Sequence, residues 1–311
     1  MQIIKINNKD DLKNLNIAPN VMTAGFFDGV HLGHQKLIEM GRKKADQLKI
    51  PLVVLTFWPY PKQFYKNIKQ PYPILTTLKD KYFLFKKLKV DLVLEVEFNS
   101  EIQQMNPQEF VDYYIKASKT KVFVAGIDFT YGEKKIANME LLPKSADNSF
   151  EVEKVAFFEY EGEKISSSTI RKEIKNSQVE KAANFLGRNY ITKGKVISGA
   201  QVGRTIGFPT ANMDNTENYL LPGDGVYFSK VKIKNCKYWG ITSVGNKPTY
   251  GNHKKYVETY ILDFDSNIYG EEMFIEWLCF ERPQIKFNSE DDLIKAINGD
   301  LIKMRRYIKQ L

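Results

Sequence analysis

The fold class of this chain is indicated first by one short stretch, Gly25-Phe26-Phe27-Asp28-Gly29-Val30-His31-Leu32-Gly33-His34. Residues 21–24 before it have the apolar character of a buried strand, and residues 33–48 have helical spacing. Glycines let the backbone turn sharply and approach a ligand, and the free N–H groups at a helix start favour an anion such as a phosphate. We therefore predict a nucleotide site at a strand-to-helix turn. The stretch contains neither a Walker A loop nor a GxGxxG dinucleotide motif.

Strand and helix patterns alternate around this turn. The strand patterns lie at residues 21–24, 52–57, 92–96 and 121–125, and the helical patterns at residues 33–48, 78–88 and 107–117. This alternation predicts a parallel sheet covered by helices, as in a doubly wound α/β domain. One more strand pattern at residues 151–158 and two short helical patterns at residues 167–175 and 179–186 follow.

The pattern changes after residue 189. Short β-rich runs, separated by Gly, Pro and Asn, lie at residues 191–196, 226–233, 238–244, 257–262 and 273–280. Strands of this spacing predict a small antiparallel barrel or sandwich. A helical pattern at residues 291–308 closes the chain. We place the boundary near Gly187, which gives an N-terminal domain of residues 1–186 and a C-terminal domain of residues 187–311.

Composition places the 311-residue chain among ordinary globular proteins of about two domains, because 43% of its residues are hydrophobic and 27% charged. The net charge is +9, but only seven of the 46 basic residues are Arg, which is favoured for bidentate phosphate and base contacts. We therefore expect a Lys-rich solvated surface and no nucleic-acid partner. No apolar run approaches the ~20 residues that span a bilayer, and the first residues lack the apolar core of a signal peptide. We expect a cytoplasmic protein without a membrane partner, and its oligomeric state stays open, with a monomer among the options.

Of the two cysteines, Cys279 stands between Leu278 and Phe280 in a β-rich run, and Cys236 lies just before the run at residues 238–244. We interpret both as small buried hydrophobic residues rather than as a disulfide or part of a metal cluster.

Two of the three histidines in the chain, His31 and His34, lie in the turn at residues 25–34. A histidine donor beside a phosphate site stabilises the charge of a transferring phosphoryl group. Two other interpretations stay open from the residues alone: a pair of core or helix-capping histidines, and a metal pair. The metal interpretation lacks a Cys or carboxylate cluster of ligand spacing beyond Asp28.

The HxGH string resembles the signature of the nucleotidylyltransferase superfamily, and FDGVHLGHQ at residues 27–35 is similar to bacterial bifunctional FAD synthetases. Three further segments are similar to that family: TFWPYP at residues 56–61, GIDFTYG at residues 126–132 and SSSTIR at residues 166–171. Taken alone, the first two would be ordinary strand-end turns and the third a helix N-cap.

This resemblance implies that residues 1–186 form a Rossmann-like nucleotidylyltransferase domain that adenylylates FMN to FAD with release of pyrophosphate. In it, His31 and His34 would stabilise the α-phosphate of ATP while FMN attacks. The implied ATP-binding residues are Gly25, Phe26, Asp28, Gly33, Ser166, Ser167, Ser168 and Arg171. The implied flavin-binding residues are Phe57, Pro59, Asp128, Phe129 and Tyr131. The chain departs from the family at Ser168, usually Thr, at Tyr131, usually Phe, and at residues 133–138, which lack the usual glycines.

The second motif is GRTIGFPTAN at residues 203–212 in the β-rich part. On an extended segment the hydroxyl of Thr210 and the amide oxygen of Asn212 point the same way, because they are two residues apart. Oxygen ligands suit Mg²⁺, which takes its remaining ligands from water and nucleotide phosphates. A plain turn that contains Pro is the alternative from the residues alone.

GFPTAN resembles the PTAN motif of riboflavin kinases. Similar segments follow in the family's order: GVY at residues 225–227, VGNKPTY at 244–250, VETYILDF at 257–264, YG at 269–270 and RPQIKF at 282–287. The departures are Ser243, where the family usually has Asn, and Gln284, where Glu is common.

This second resemblance implies a six-stranded barrel at residues 187–311 that phosphorylates riboflavin to FMN with ATP. It implies that Thr210 and Asn212 bind Mg²⁺, that Gly203, Gly207 and Pro209 contact ATP, and that Glu258 is the general base. From the residues alone, Glu258 could equally be a solvated side chain on a strand surface.

Together the two resemblances imply a bifunctional enzyme with Mg²⁺ as cofactor, ATP as co-substrate and FMN and FAD as product ligands. Its partners would be the small molecules riboflavin, FMN and ATP. A chain with one inactive module and a flavin- or RNA-binding regulatory protein are the alternatives. The complete residue sets of both motifs and the scarcity of Arg speak against them.

Overall fold

The computed structural model describes residues 1–61, 72–132, 136–199, 202–246 and 255–310. The chain divides into two compact units, Met1–Ser167 and Ser168–Leu311. Residues 247–250 of the VGNKPTY segment and residues 133–135 lie outside the described residues. Within the described ranges, no helix combines the length and apolar composition needed to cross a membrane.

A six-stranded parallel sheet in the order β1-β4-β3-β2-β5-β6 forms the centre of the first unit. Its strands are β1 (Gln2–Ile6), β2 (Asn20–Ala24), β3 (Leu52–Trp58), β4 (Leu92–Glu97), β5 (Thr120–Gly126) and β6 (Glu151–Val155). A small hairpin of β7 (Glu159–Tyr160) and β8 (Glu163–Lys164) follows. The helices are α1 (Leu32–Leu48), α2 (Leu78–Lys87), α3 (Ser100–Gln104), α4 (Pro107–Phe110) and α5 (Leu142–Ala146), with a 3-10 helix at Asp11–Asn14 and a π-helix at Val111–Lys116.

Both faces of this sheet are buried, which explains the near-continuous apolar strand sequences. Successive residues of β3 alternate between the two faces: Val54 packs in the cluster that contains Ile38 of α1, and Leu55 packs in the cluster that contains Phe110 and Tyr114. Helices therefore cover the sheet on both sides.

The strand order reverses next to β2. From β2 the chain passes to β3 on one side, and after β4 it returns to β5 on the other side of β2. In open α/β sheets, ligands bind beyond the carboxyl ends of the strands at such a reversal. The loops that follow β2 and β5, residues 25–31 and 127–132, begin at this point.

The second unit contains a closed six-stranded antiparallel barrel in the order β10-β13-β12-β11-β14-β9. Its strands are β9 (Tyr190–Ile197), β10 (Thr210–Met213), β11 (Gly225–Ile233), β12 (Cys236–Asn246), β13 (Lys255–Ile261) and β14 (Glu272–Arg282). Its helices are α6 (Ser167–Lys175), α7 (Val179–Leu186), α8 (Val202–Thr205) and α9 (Glu290–Lys309). Met304 of α9 is fully buried in a cluster with Val226 and Phe228 of β11.

The predicted fold class is confirmed: a parallel α/β unit is followed by a small antiparallel barrel and a terminal helix. Four strands were not predicted: β1, which lies at the edge of its sheet, the two-residue strands β7 and β8, and β10, which has only four residues. The helix predicted at residues 107–117 is divided into α4 and a π-helical turn. The predicted burial of Cys236 is wrong, since this residue is exposed at the start of β12, and Cys279 is only partly buried; both are free thiols.

The compact units divide between Ser167 and Ser168, ahead of the boundary that the sequence suggested near Gly187. Helices α6 and α7 accordingly group with the barrel: the N–H of Gly223 donates to the carbonyl of Ile174 (3.0 Å), and the N–H of Phe280 donates to Oε1 of Glu180 (3.3 Å).

Candidate active sites

The loop after β2 has an unusual backbone. Phe27, Gly29 and Val30 have φ values of 55°, 84° and 40°. A positive φ is unfavourable for residues with a side chain, most of all for a β-branched residue such as Val30. Such strain persists only where the surroundings enforce it, and it concentrates at functional sites.

Neighbouring segments hold this loop in place. Asp28 is 1% exposed, and its Oδ1 accepts hydrogen bonds from the N–H groups of Leu75 (3.0 Å) and Thr76 (3.2 Å). The N–H of Gly29 donates to Oγ1 of Thr76 (3.0 Å). Asp28, which the resemblance assigns to ATP binding, therefore anchors the loop to residues 75–76 in this structure.

The two histidines lie on the first turn of α1. His31 is the N-cap, and its Nδ1 accepts from the N–H of His34 (3.3 Å). In a neutral ring this acceptor role places the proton of His31 on Nε2. The two imidazoles stack with centroids 3.6 Å apart and an interplanar angle of 17°. The helix-capping interpretation of His31 is thus correct as far as its Nδ1 is concerned.

His34 is neutral near pH 7. Burial lowers its pKa well below the ordinary value, and the nearby charges of His31 and Lys81 act in the same direction. Its Nδ1 is buried without a hydrogen-bond partner in the described part of the chain. A neutral imidazole can donate only one hydrogen bond, so His34 offers at most one donor and carries no positive charge of its own.

Gly33 lies close to the stacked histidines. A Cβ at this position would lie 3.3 Å from both Cε1 and Nδ1 of His31, closer than an ordinary carbon contact. A side chain at the third residue of HxGH would therefore require the His31 ring to shift by a few tenths of an ångström.

The serine cluster contributes one contact to this loop. Oγ of Ser167, the first residue of α6, donates to the carbonyl of Asp28 (2.8 Å). Ser166 lies just before this helix, while Ser168 and the largely buried Arg171 lie within it and belong to the second unit. The ATP-binding roles of Ser166, Ser168 and Arg171 stay predictions.

The residues assigned to flavin binding are divided between surface and core. Asp128 is exposed and pairs with Nζ of Lys164 (3.0 Å), and Phe129 is half-buried between Phe123 and Tyr131. Tyr131 lies in the core, where burial raises its pKa. Phe57 packs its half-buried ring near Phe98 and Phe110 (6.1 and 6.2 Å). Pro59 follows at the carboxyl end of β3.

One buried residue near the histidines was missed in the sequence. Lys81 of α2 is fully buried, and its Nζ donates to the carbonyl of Phe26 (2.9 Å). Its position in the sequence contains a signal, because Lys81 stands four residues before the buried Phe85 on the inward face of α2. A charged residue on the buried face of an amphipathic helix is unusual and indicates a specific structural or functional role.

In the barrel, the three residues implied for metal binding and catalysis meet. Oγ1 of Thr210 donates to Oε1 of Glu258 (2.5 Å), and Nδ2 of Asn212 donates to the same oxygen (3.4 Å). Asn212 of β10 and Glu258 of β13 are direct cross-strand partners. Glu258 projects away from the buried Val257 and Thr259, as the strand period predicts.

The glycines before β10 shape the entry to this strand. Gly207 has φ 82° and follows α8, the N–H of Phe208 donates to the carbonyl of Gly203 (2.7 Å), and the N–H of Gly207 donates to the carbonyl of Arg204 (3.4 Å). This pattern is a Schellman motif. A Cβ at Gly203 would lie 2.3 Å from the carbonyl oxygen of Phe208, so this position requires glycine.

Two cavities meet at Thr210. The first has a volume of about 460 Å³ and contains the polar side chains of Arg204, Asp265 and Asn267 beside Pro209. The second has a volume of about 330 Å³ and is lined by Glu258 and by the aromatic residues Phe208, Tyr256, Tyr260 and Phe287. Gly203 lines the second cavity, and Gly207 lines neither.

The donor set at Thr210 fits Mg²⁺. A hydroxyl, an amide oxygen and a carboxylate are hard oxygen donors, which this ion prefers. In the part of the chain that the structure describes, no group of three His, Cys, Asp or Glu residues could hold a metal ion by itself. An ion at Thr210 and Asn212 would therefore take most of its ligands from nucleotide phosphates and water.

The second cavity contains two further contacts that were missed in the sequence. Arg282 forms a bidentate pair with the buried Asp300 of α9 (2.8 and 2.9 Å). Nε2 of Gln284 contacts the carbonyl of Val244 (3.0 Å), Oγ of Ser243 (3.1 Å) and the hydroxyl of Tyr256 (2.7 Å). The two departures noted in the sequence, Ser243 and Gln284, are therefore in contact with each other.

Comparison with known families matches the two halves separately. A model described as FAD synthetase matches residues 14–169, and a model described as riboflavin kinase matches residues 186–308. A bifunctional riboflavin kinase/FMN adenylyltransferase of Listeria monocytogenes is 42% identical over 94% of this chain and 93% of its own length. The Bacillus subtilis protein of the same name is 36% identical over 100% of this chain and 99% of its own length.

A solved structure shares the whole architecture. The crystal structure of a protein from Streptococcus pneumoniae, named a macrolide-efflux protein, is 34% identical, has a TM-score of 0.89, and covers 98% of this chain and 99% of its own. That name refers to a different activity from those of the curated relatives, and the likeness here concerns the fold. Both motif sets, both family models and the full-length relatives agree with one another. The chain belongs to the family of bifunctional riboflavin kinase/FMN adenylyltransferases.

Proposed function

We propose that the barrel phosphorylates riboflavin with Glu258 as general base and that the loop after β2 adenylylates FMN with His31 and His34 as donors. The convergence of Thr210, Asn212 and Glu258 is the observation that carries this proposal, because two strands bring these side chains together at the junction of two cavities.

The chemistry of the two cavities supports a separate location for each substrate of the kinase step. The larger cavity contains Arg204 and several polar side chains, which suit a polyanionic nucleotide. The smaller cavity is lined by aromatic and aliphatic side chains, which suit the flat, largely apolar isoalloxazine ring. Thr210 lines both cavities, so the phosphate to be transferred would lie beside it.

In the kinase step, the 5′-hydroxyl of riboflavin attacks the γ-phosphorus of ATP and ADP leaves. Glu258 faces the flavin cavity and accepts the hydroxyl proton as the new bond forms. Mg²⁺, when bound with ATP, neutralises phosphate charge. Thr210 and Asn212 would hold the metal, and both contact Oε1 of Glu258, so positioning and proton transfer would depend on the same three residues.

In the adenylylation step, a phosphate oxygen of FMN attacks the α-phosphorus of ATP and pyrophosphate leaves. The start of α1 offers N–H groups to an anion, and the stacked His31 and His34 place imidazole edges at the same point. Hydrogen bonds that strengthen as charge develops lower the barrier to transfer. No side chain needs to act as a nucleophile.

The full chain, incubated with riboflavin, Mg²⁺ and ATP, tests both steps at once. We expect FMN to form first and FAD to follow, as resolved by chromatography of the flavins. Supplying FMN directly tests the second step alone, and chelation of Mg²⁺ should stop both. Formation of neither flavin would contradict the proposal, and formation of one alone would identify an inactive module.

We also propose that the kinase activity lies within residues 187–311 and the adenylylation activity within residues 1–186. A fragment of residues 188–311 should make FMN and no FAD. A fragment of residues 168–311 should have the same activity and a higher melting temperature, because α6 and α7 hydrogen-bond to the barrel. A folded fragment without riboflavin phosphorylation would argue against a self-contained kinase module.

Location and partners follow from the same chemistry. Both cysteines are free, which supports a reducing compartment such as the cytoplasm. The basic charge comes mainly from Lys, so we propose that small anionic substrates, and not nucleic acid, are the partners. An electrophoretic mobility assay with RNA and duplex DNA would test this exclusion.

A further inference from the structure

The ammonium of Lys81 is a buried charge that neither reaction scheme uses. Lys81 is 0% exposed, although lysine is almost never fully buried without a partner. Its Nζ donates one hydrogen bond, to the carbonyl of Phe26 (2.9 Å), and lies 3.9 Å from the centroid of the Phe26 ring. An ammonium has three donors, so the described residues satisfy it only in part.

Among the described residues, no carboxylate forms a hydrogen-bonded ion pair with Lys81. Asp28 and Glu95 in the described part of the chain act on Lys81 only as nearby charges. Oδ1 of Asp28 accepts from Leu75 and Thr76, and Glu95 accepts from the hydroxyl of Tyr82. Burial without a close ion pair destabilises a charged group, and selection for stability alone would favour an apolar residue here.

The location of the charge indicates its use. Phe26 begins the strained loop that ends at the two histidines, and the charge of Lys81 acts on His34. Because His34 is neutral, the positive potential at this site must come from another group. Both substrates of adenylylation are polyanions, and negative charge shifts between phosphates in the transition state.

We propose that Lys81 is a positioning residue of adenylyl transfer, which fixes the carbonyl of Phe26 and supplies positive charge from beneath the loop at residues 25–34. This inference rests on the proposed adenylylation at that loop. Lys81 acts through Phe26 and the histidine pair and does not touch the reacting atoms.

Titration distinguishes this role from a structural one. Burial lowers the pKa of Lys81 to about 8, against the opposing effect of Asp28 and Glu95. The lysine is therefore charged at pH 7 and loses its charge as the pH rises through about 8. The titratable groups that face it are the carboxylates of Asp28 on the loop and Glu95 on β4, together with His34 on α1, which is neutral near pH 7. If the charge assists transfer, kcat/KM for adenylylation of FMN declines over this pH range, since kcat/KM reports the free enzyme.

The test compares Lys81→Met, which removes the charge at similar length, with Lys81→Arg, which retains a charge at all accessible pH values. We expect Lys81→Met to lower kcat/KM for FMN adenylylation by about 10²-fold and to abolish the alkaline decline. Lys81→Arg should keep more activity than Lys81→Met and move the decline above pH 10. Lys86→Met, at an exposed lysine of the same helix, is the matched control and should change nothing.

Melting temperatures distinguish a positioning role of Lys81 from a structural role. Because a buried charge is removed, the melting temperature of Lys81→Met at pH 7 should equal or exceed that of the wild type, and riboflavin phosphorylation should be unchanged. Normal adenylylation in Lys81→Met would overturn the proposal. So would a loss of activity together with a lower melting temperature, which indicates a structural lysine. FAD formation by the wild type is measured in parallel, so failure of the proposed adenylylation itself is recognised separately.

Discussion

The two sites are built by opposite means. In the first unit, His31 and His34 are three residues apart, and one helix turn places them side by side. In the barrel, Thr210 and Glu258 are 48 residues apart in the chain, and strand pairing brings them together. One site is local in sequence and depends on a strained loop, whereas the other is distant in sequence and depends on sheet register.

This difference determines how each site should respond to substitutions. A β-strand cannot shift by one residue without turning every side chain to the opposite face, so the barrel site is fixed by the whole closed sheet. The histidine site depends on a few contacts from residues 75–81 to the loop. Substitutions around the loop should therefore impair adenylylation without unfolding the chain, and the barrel residues should show steep, position-specific losses.

The largest effect is expected at Glu258. A general base contributes ~10² to 10⁴ in rate, so Glu258→Gln, which is nearly isosteric, should lower riboflavin turnover by that factor. Riboflavin should still bind, and adenylylation of supplied FMN should continue. Steady-state kinetics of FMN formation with a fluorescence titration of riboflavin would measure both quantities.

Asp263 is the matched control for this prediction. Its side chain is exposed and faces Arg305 (3.5 Å), so Asp263→Asn should leave turnover nearly unchanged. Asp265 on the same segment lines the larger cavity and is therefore unsuitable as a control. If Asp263→Asn were the more damaging change, the assignment of the base would be wrong.

The second effect concerns the local site. If the histidines act as proposed, His31→Ala or His34→Ala should lower FAD formation by ~10² or more, because each change would remove a donor to the transferring phosphate. Riboflavin phosphorylation by the same molecules should stay near normal and serves as the internal control. An equal loss of both activities would indicate a folding defect rather than a catalytic role.

His34 adds a pH test with a definite sign. Its lowered pKa means that the folded state resists protonation, so stability is complete above the unfolded pKa of about 6.5 and decreases as the pH falls below it. His34→Gln keeps a polar side chain that does not titrate, and its melting temperature should fall less between pH 7 and pH 5. Identical acid sensitivity of the two proteins would show that His34 is not the responsible group.

The extent to which the sequence predicts the two sites follows from their construction. The strand-loop-helix pattern and the two histidines were recognisable because one short stretch contains both. Thr210 and Asn212 were recognisable as a pair, but their contact with Glu258 depends on the pairing of β10 and β13, and the four-residue β10 was not predicted. Leu75 acts on the loop through its backbone N–H group, which leaves no trace in side-chain composition.

A smaller effect is expected at Thr210 and Asn212, the proposed metal ligands. Thr210→Val and Asn212→Ala should each raise the Mg²⁺ concentration for half-maximal kinase activity by at least ~10-fold and leave adenylylation of FMN intact. Both residues also contact Glu258, so a loss of activity alone is ambiguous. Recovery of Asn212→Ala at high Mg²⁺ would support a ligand role. A defect that Mg²⁺ does not relieve would show that Asn212 only orients Glu258.

The smallest effect is expected at Gln284, which contacts Ser243 in the barrel site. Because both residues are identified, their coupling can be measured directly. The carbonyl of Val244 can only accept a hydrogen bond, so the amide nitrogen of Gln284 must face it (3.0 Å). In Gln284→Glu a carboxylate would face that carbonyl instead. Ser243 contacts Gln284 on one side and pairs with Glu258 on the neighbouring strand, so the new charge would also lie near the proposed base. Solvent reaches Gln284 and screens part of this repulsion; we therefore expect a loss of about fivefold in kcat/KM for riboflavin, equivalent to ~1 kcal/mol. The loss should shrink as the pH falls toward the pKa of the introduced Glu, about 4.3 or above, because the protonated acid again offers a donor.

Ser243→Asn adds an amide that can donate to the carboxylate of Gln284→Glu, so the double variant should recover much of the activity. Additive losses in the double-mutant cycle would show that residues 243 and 284 act independently in this cavity.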